Sequence, residues 1–458
     1  MEDRRIWKVS ADGSAAAVTK DGESTWAHIL PWPLPGGEAL LYTVRKRDWS
    51  WGDEEIVAQT MATGNRKVLL RDAADGRYIG TGHLLFLRRG VLFAVAFDPD
   101  RLEVRGTPVP VFDGVVQALT GIDSDDLTGA GQFAIAPTGT LAWVRGPVVP
   151  YLNEMLVSVD RHGAVSPLGA PKKSYVMGMR LAPDRRQVAV AVRDLDEVSL
   201  WTYDLVRGAA TPLPIPRGGE AYLHVWHPDG LRLAFQWLKD GRSSLALQRA
   251  DGTSPPEVLG VGAGAAPSSW TPDGHQLVVV TYDKDLAVVT IEHDRATLRP
   301  LMQTPYAEAW PEISPDGRWL AYVSNESGRN EVYVQPYPGP SPRTQVSLNG
   351  GESPAWHANG HELFFIGLPD AAGKRRMNVA RFEPGVPPAI GAAHALFEFA
   401  PRELKFLCGT IRCYDIAPDA QQFYVVQTPS PPPRPVVTRI NLVQNWFEEL
   451  RAKVPVKP

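Results

Sequence analysis

A turn followed by a strand recurs along this chain at nearly constant intervals, and this repeat constrains the fold more than any other feature. Its best-preserved copy is SPDGRWLAYVS, from Ser314 to Ser324. Pro315 presets φ for a turn, Asp316 can bond its own backbone, and Gly317 can take a positive φ. The residues WLAYVS are aromatic and β-branched and lack a helical period, which predicts a strand. A second turn and strand, NESGRNEVYVQPY, complete a β-hairpin.

The copies of this motif align on the proline position of the turn, which we call the anchor. The four spacings from Pro183 to Ala358 are 45, 44, 43 and 43 residues, which is too regular for a chance arrangement. Gaps of 57 and 60 residues predict loop insertions at 113–131 and 396–413. The anchors are Pro35, Gly80, Pro137, Pro183, Pro228, Pro272, Pro315, Ala358 and Pro418.

Each repeat holds about four short strands, which is typical of a β-propeller blade. One twisted four-stranded sheet cannot bury both of its faces alone, whereas sheets stacked around an axis cover one another. The sequence therefore predicts an all-β fold, with residues 1–458 forming a single β-propeller of about eight or nine four-stranded blades. We expect strands from both termini to complete one blade and close the ring. A short helix is predicted at 445–453, with Asn445 as its cap.

The innermost strand of each blade shows a consistent pattern before the anchor. The residue two positions before it is large and apolar, as in Trp226, Trp270 and Trp356, and is expected in the core. The residue three positions before it varies and is sometimes charged, as in Arg180 and Glu312.

Charge and composition exclude several classes of function. The net charge is -4 and no basic block is present, so nucleic acid is not an expected partner. No run of 18 apolar residues predicts a membrane span. The N-terminal stretch MEDRRIWKVSADG is not a secretory signal, so the chain as given is expected in the cytoplasm. A periplasmic or extracellular place would follow if it is a fragment of a larger protein.

The two cysteines, Cys408 and Cys413, exclude a disulfide framework and a zinc site made of four cysteines. We favour two free thiols, and one local bridge within a loop is the alternative.

The stretches SPDGRWLAYVSNESGRNEVYVQPYPG, GGESPAWHANGHELFF and NWFEEL resemble the TolB-type propeller repeats of bacterial proteins. They look closest to the C-terminal propeller regions of bacterial eukaryotic-type serine/threonine kinases. The kinase motifs themselves are absent: no G-x-G-x-x-G loop, H-R-D or D-F-G is found. The resemblance implies a propeller that binds a peptide, a protein or a small ligand and is not itself catalytic.

Polar residues on the innermost strands are the main site candidates. Arg180, Glu312 and Asp415 occupy equivalent positions, Glu308 lies nearby, and His224 is on an inner strand. If the blades converge, these groups line a central funnel and could perform acid–base chemistry or hold Ca²⁺ or Zn²⁺. The favoured alternative is that they form salt bridges between blades.

A weaker candidate lies in the first insertion. Asp123, Asp125 and Asp126 form an acidic loop that could hold Ca²⁺, although a solvated loop is the favoured interpretation. His224 and His227 are three residues apart on a strand, so their rings face opposite sides and joint metal binding is not expected.

The favoured function is a non-catalytic binding or sensor module without a cofactor, which binds a protein, peptide or small molecule at the central funnel or the top face. The alternative is a stand-alone hydrolase of esters, lactones or glycosides, with a carboxylate or metal site at the funnel. No G-x-S-x-G, H-E-x-x-H or P-loop motif supports an enzyme.

Overall fold

The computed structural model describes residues 5–20, 27–45, 54–119, 128–146, 154–194, 198–216, 219–239, 242–292, 295–339, 342–429 and 439–456. The chain divides into two compact units, which are described separately. Unit 1 comprises Met1–Tyr151 and Pro433–Pro458, and unit 2 comprises Leu152–Pro432. No helix in the described residues is long and apolar enough to cross a membrane.

The described residues form short strands, one turn of 3₁₀-helix at Pro35–Gly37 and one α-helix. These elements are β1 (Trp7–Val9), β2 (Ala15–Ala17), β3 (Ala27–Pro33), β4 (Ala39–Arg45), β5 (Glu55–Thr60), β6 (Arg66–Arg71), β7 (Ala74–Ile79), β8 (His83–Arg88), β9 (Val91–Asp98), β10 (Glu103–Phe112), β11 (Phe133–Ile135), β12 (Leu141–Trp143), β13 (Met155–Asp160), β14 (Val165–Pro167), β15 (Tyr175–Leu181), β16 (Gln187–Arg193), β17 (Val198–Asp204), β18 (Ala210–Pro212), β19 (Gly219–Trp226), β20 (Arg232–Lys239), β21 (Arg242–Arg249), β22 (Glu257–Val258), β23 (Ala266–Trp270), β24 (Gln276–Val280), β25 (Leu286–Glu292), β26 (Arg295–Met302), β27 (Glu308–Ile313), β28 (Trp319–Ser324), β29 (Glu331–Pro336), β30 (Thr344–Gln345), β31 (Glu352–Trp356), β32 (Glu362–Ile366), β33 (Arg375–Glu383), β34 (Ala389–Ile390), β35 (His394–Phe399), β36 (Leu407–Cys408), β37 (Ile411–Arg412), β38 (Asp415–Ile416), β39 (Gln422–Gln427), β40 (Asn441–Val443) and α1 (Trp446–Lys453).

Unit 1 contains three stacked antiparallel sheets, made of β3–β6, β7–β10 and β11-β12-β40. One apolar cluster joins the first sheet to the second, and another joins the second to the third. The buried residues Trp446 and Leu450 bring helix α1 into the second of these clusters. The predicted helix is confirmed, but the side chain of Asn445 makes no capping hydrogen bond.

In the residues described, unit 2 contains six antiparallel sheets of four or five strands and one two-stranded ribbon, β36–β37. Five follow the chain in order: β15–β18, β19–β22, β23–β26, β27–β30 and β31–β35. The sixth has the order β14-β13-β39-β38, so it combines strands from both ends of the unit. In this sheet Val157 lies opposite Val425, which is far away in sequence.

The apolar core of unit 2 connects these six sheets in a cycle. Successive clusters join β15–β17 to β19–β21, that sheet to β23–β25, and so on to β31–β33. A further cluster packs β32 and β33 against β13 and β39, through residues such as Phe364 and Phe423. The last cluster packs β13 and β39 against β15–β17. Each sheet therefore covers one face of each neighbour, which is the packing of a propeller ring.

The anchors of the repeat occupy the same place in each sheet. Each of the nine anchors lies in the turn between the first two strands of a sheet, from Pro35 between β3 and β4 to Pro418 between β38 and β39. The expected core residues are also confirmed, since Trp226, Trp270 and Trp356 are each less than 10% exposed.

The predicted closure of one ring by strands from both termini stays a prediction. In the described residues β1 pairs with β2, and β40 pairs with β12. The cycle of six sheets in unit 2 is closed by β13 and β39. From its position in the sequence, the β13–β14 hairpin follows the repeat of anchor Pro137. Its pairing with β39 shows that it instead completes the sheet of anchor Pro418.

A glycine pair tests the turn chemistry of the repeat. Gly317 and Gly360 both have φ +74, but a Cβ at Gly317 would lie 3.2 Å from Pro272 Cδ, whereas a Cβ at Gly360 would meet nothing within 4 Å. Both alanine variants should lose roughly 1 kcal/mol of unfolding free energy because of the left-handed backbone. Gly317→Ala should lose measurably more in urea denaturation, and equal losses would contradict the packing of this turn against Pro272.

Candidate functional site

The residues three positions before the anchors meet in unit 2. The indole N–H of Trp226 donates to the backbone carbonyl of Arg180 at 2.9 Å, and that of Trp356 donates to the carbonyl of Glu312 at 3.1 Å. The first bond ties β19 to β15, and the second ties β31 to β27. In a propeller ring the inner strands of the sheets surround the axis, so their polar side chains converge.

The second insertion supplies a hairpin that lies among these inner strands. β36 and β37 pair through only two residue pairs, Leu407 with Arg412 and Cys408 with Ile411. Their backbone contacts the inner strands β15, β23, β27 and β31 of unit 2. The insertion therefore fills the centre of the unit.

Four charged side chains form a buried network at this centre. Arg412 Nε lies 2.6 Å from Glu312 Oε1, and Arg412 Nη1 lies 2.8 Å from Asp415 Oδ1. Arg180 lies 3.5 Å from Glu312 and 3.9 Å from Asp415. None of the four side chains is more than 18% exposed. Two guanidinium groups thus balance two carboxylates, so the group carries no formal charge excess.

The shifts in pKa follow from this arrangement. Burial alone would raise the pKa of Asp415, but Arg412 and Arg180 outweigh it and lower the pKa overall. Burial opposes the charged form of Arg412, yet Asp415 and Glu312 raise its pKa. Burial and the neighbouring charge of Arg412 lower the pKa of Arg180. Each of the two guanidinium groups lies within 4 Å of both carboxylates.

The hairpin contacts the inner strands near positions where their backbone departs from regular sheet pairing. Each inner strand from β15 to β31 has a β-bulge, which leaves backbone groups outside the sheet ladder. The N–H of Trp310, a bulge residue with φ 50, donates to the carbonyl of Thr410 at 2.8 Å. The hydroxyl of Tyr414 donates to the carbonyl of Ser353 at 3.0 Å. At Gly178 a Cβ would lie 2.4 Å from Cys413 Cβ, so only glycine permits this approach.

The other two funnel candidates lie outside the ion-pair network. His224 is 3% exposed, and its Nε2 bonds the carbonyl of Ala189 at 2.8 Å. Burial and the charge of Arg180 lower its pKa to about 4. Glu308 is 1% exposed and accepts a hydrogen bond from the Thr304 hydroxyl at 2.6 Å. Its Oε2 accepts no bond from the described residues, and burial raises its pKa.

Glu308 begins strand β27 at the end of the sheet opposite the anchors, where three loops meet. The Glu308 N–H bonds the carbonyl of Lys284, and the Ala307 N–H bonds Asn325 Oδ1 at 2.9 Å. We call the surface of residues 281–285, 303–307 and 325–330 the tyrosine face. It carries Tyr282, which is 80% exposed, and Tyr306, which is 46% exposed.

A cavity of about 540 Å³ lies elsewhere in unit 2, between the outer strands of two neighbouring sheets. Residues 345–350 line one side of it, and Asp370, Lys374 and Arg376 lie on the other. None of the funnel candidates lines this cavity.

In the part of the chain that the structure describes, no three His, Cys, Asp or Glu side chains are grouped so that they could hold a metal ion. The weak calcium candidates Asp123, Asp125 and Asp126 lie outside the described residues. The alternative of Ca²⁺ or Zn²⁺ at the funnel stays a prediction.

The sequence analysis missed Arg412 and Tyr414, which complete the centre. It also favoured free thiols, whereas the structure joins Cys408 to Cys413 in a disulfide. The signal was present in LCGTIRC, where two cysteines flank a glycine turn and an arginine in an insertion. Nothing in that stretch indicates that it reaches inner strands more than 200 residues earlier.

Part of unit 2 is similar to a known β-propeller family. Residues 220–383 match the family described as the TolB beta propeller domain. A protein TolB homolog of Chlorobium luteolum is 26% identical over 107 residues, which are 23% of this chain and 24% of that relative. The matched part thus spans about a quarter of that protein.

Two solved structures are also similar. A structure described as TolB from Agrobacterium tumefaciens has 15% identity and a TM-score of 0.47, and the match covers 61% of this chain and 99% of that one. TolB from Acinetobacter baumannii has 14% identity and a TM-score of 0.42, with 77% of this chain and 78% of that one covered.

Removing Arg412 tests the charge network. Arg412→Met leaves Glu312 and Asp415 buried with one guanidinium, and should cost about 3–5 kcal/mol of unfolding free energy. The double variant Arg412→Met/Glu312→Gln restores the charge balance and should recover at least about 1 kcal/mol.

The control for this measurement is Arg318→Met, because Arg318 pairs with Asp316 through a side chain that is 69% exposed. Its loss should stay below about 1 kcal/mol in the same denaturation experiment. If Arg412→Met is no more harmful than Arg318→Met, the buried network does not hold the centre together.

The pKa of His224 predicts a pH dependence of stability. The folded pKa of about 4 lies below the unfolded value near 6.5, so the unfolded chain binds the proton first as pH falls. The stability associated with His224 is complete above pH 6.5 and is lost between pH 6.5 and 4, up to roughly 3 kcal/mol. The glutamine of His224→Gln keeps a donor for the carbonyl of Ala189. As the pH falls from 6.5 to 4, the unfolding free energy of this variant should rise relative to that of the wild type. A constant difference would contradict a buried neutral imidazole.

Proposed function

We propose that this chain, which carries TolB-like β-propeller repeats, is a non-catalytic module that binds a protein partner at the tyrosine face of unit 2. The observation that carries the proposal is the exposure of Tyr282 and Tyr306 on three loops that are fixed to one another by backbone hydrogen bonds. Exposed aromatic residues on a rigid surface are typical of protein interfaces.

The filled centre of unit 2 supports a surface site over a funnel site. The hairpin and its ion pairs occupy the space between the inner strands, and Arg412 already satisfies both Glu312 and Asp415. A ligand at the axis would have to displace these contacts, whereas a partner at the tyrosine face would not.

The chemistry of the face favours a partner segment with a basic side chain. Asp283 and Asp285 lie in its first loop, and the buried carboxylate of Glu308 borders it. Asp285 and Glu326 add to burial in raising the pKa of Glu308, so a cationic group placed here would relieve this repulsion. A lysine or arginine of the partner supplies such a group.

The hydrolase alternative has no observation in its favour. Acid–base catalysis by Glu312 and Asp415 would require carboxylates that are free to contact a substrate, and both are paired with Arg412. The hydrolase therefore stays a prediction from the sequence.

We include in this proposal the sequence resemblance to the C-terminal propeller regions of bacterial serine/threonine kinases. A sensor that binds a protein would use an exposed surface of this kind. We also propose an oxidising compartment, either the periplasm or the outside of the cell, because disulfides such as Cys408–Cys413 persist there. This differs from the cytoplasm expected for the chain as given.

A phage-displayed library of 12-residue peptides tests the proposed face. Peptides selected on the full chain are synthesised and their Kd is measured by fluorescence polarisation. The Tyr282→Ala/Tyr306→Ala variant should bind them at least tenfold more weakly, which corresponds to about 1.4 kcal/mol. Glu308→Gln should weaken only those peptides that contain lysine or arginine.

Leu231→Ala is the matched control, since Leu231 is 56% exposed in the turn of an anchor at the opposite end of the strands. It should leave every Kd unchanged. Selected peptides that bind the tyrosine variant as tightly as the wild type would contradict the proposed site.

A further inference from the structure

The disulfide between Cys408 and Cys413 spans the hairpin that fills unit 2. The β36–β37 ribbon has only two residue pairs, and a two-stranded ribbon of this length is not stable by itself. Its conformation therefore depends on the disulfide and on the surrounding inner strands.

The polar contacts of the hairpin lie at its turn and along its second strand, and its first strand, β36, contacts β15. Thr410 accepts the hydrogen bond of the Trp310 N–H, Arg412 makes the central ion pairs, and Ile411 is 3% exposed in an apolar cluster. These groups reach their partners only while the ribbon keeps its shape. Any change that opens the ribbon removes them together.

Space around the disulfide is limited on one side. Cys413 is 2% exposed, and its Cβ lies where a side chain on Gly178 would be. Two thiols cannot approach as closely as two bonded sulfurs, so reduction requires one of them to move. Cys413 is confined by Gly178, and the residue that can move is Cys408 with the hairpin turn.

Cys408 is partly exposed whereas Cys413 is 2% exposed, so Cys408 is the cysteine at which a reductant would attack. We propose that the Cys408–Cys413 disulfide is a redox lock, and that its reduction by a dithiol releases the hairpin from the centre of unit 2. This proposal does not depend on the protein-binding function, because its test needs no partner.

The chemical step is a two-electron exchange. One thiolate of the dithiol attacks Cys408 Sγ, the Sγ–Sγ bond breaks, and Cys413 leaves as a thiolate that takes up a proton. The second thiol of the reductant then attacks the mixed disulfide and releases Cys408 as a thiol. The dithiol is oxidised to a cyclic disulfide.

Limited trypsin digestion of the full chain, with and without dithiothreitol, tests the lock. Arg412 is 8% exposed in the oxidised protein and should be cleaved slowly. After reduction, cleavage after Arg412 should be at least tenfold faster by mass spectrometry, while iodoacetamide labels both cysteines. The variant Cys408→Ser/Cys413→Ser should be cleaved at the fast rate whether or not the reductant is added.

Arg375 serves as the internal control, because its side chain is 16% exposed within β33 and paired with Glu352. Its cleavage should not change on reduction. The proposal is overturned if labelled thiols appear without faster cleavage after Arg412, or if cleavage after Arg375 rises equally, which indicates general unfolding. Free thiols in protein prepared under oxidising conditions would overturn it as well. Should the serine variant fail to fold, the wild type with and without reductant decides the question.

Discussion

Arg412 balances two buried carboxylates, and the centre of unit 2 depends on this balance. Without its guanidinium, Glu312 and Asp415 would share only Arg180 in a nearly dry environment, and the cost of burying an unpaired charge is several kcal/mol. Arg412 reaches them because its hairpin enters the space between the inner strands. The charges, the hairpin and the bulges that receive the hairpin therefore form one interdependent arrangement.

The arrangement explains two features of the inner strands that packing of the sheets alone does not require. The bulges remove backbone groups from the sheet ladders, and some of these groups bond the hairpin or residues next to it, as Trp310 and Ser353 do. Gly178 lacks a side chain where Cys413 approaches. An open funnel would leave these groups to water, whereas here the chain itself satisfies them. The proposed protein-binding site accordingly lies on a face of the unit.

Most of the fold was predictable from the sequence because its signals are local. The turn chemistry around residues such as Pro315 and Gly317 located every anchor, and the apolar position before the anchor identified Trp226 and Trp356 as core residues. The partner of β13 was not predictable, since its pairing with β39 joins residues more than 250 positions apart and both strands satisfy the same alternating pattern. The equivalence of Arg180, Glu312 and Asp415 correctly indicated that they meet. Arg412 lies outside the repeat, so no comparison between copies could reveal it.

Hydrogen–deuterium exchange of the oxidised chain, read by mass spectrometry, tests most directly whether the hairpin fills the centre of unit 2. The account predicts that the amides of residues 407–414 exchange as slowly as those of the inner strands β15 and β27, because the hairpin is enclosed by the inner strands that it contacts. Exchange of residues 407–414 within seconds, at the rate of an exposed turn such as 325–330, would contradict it.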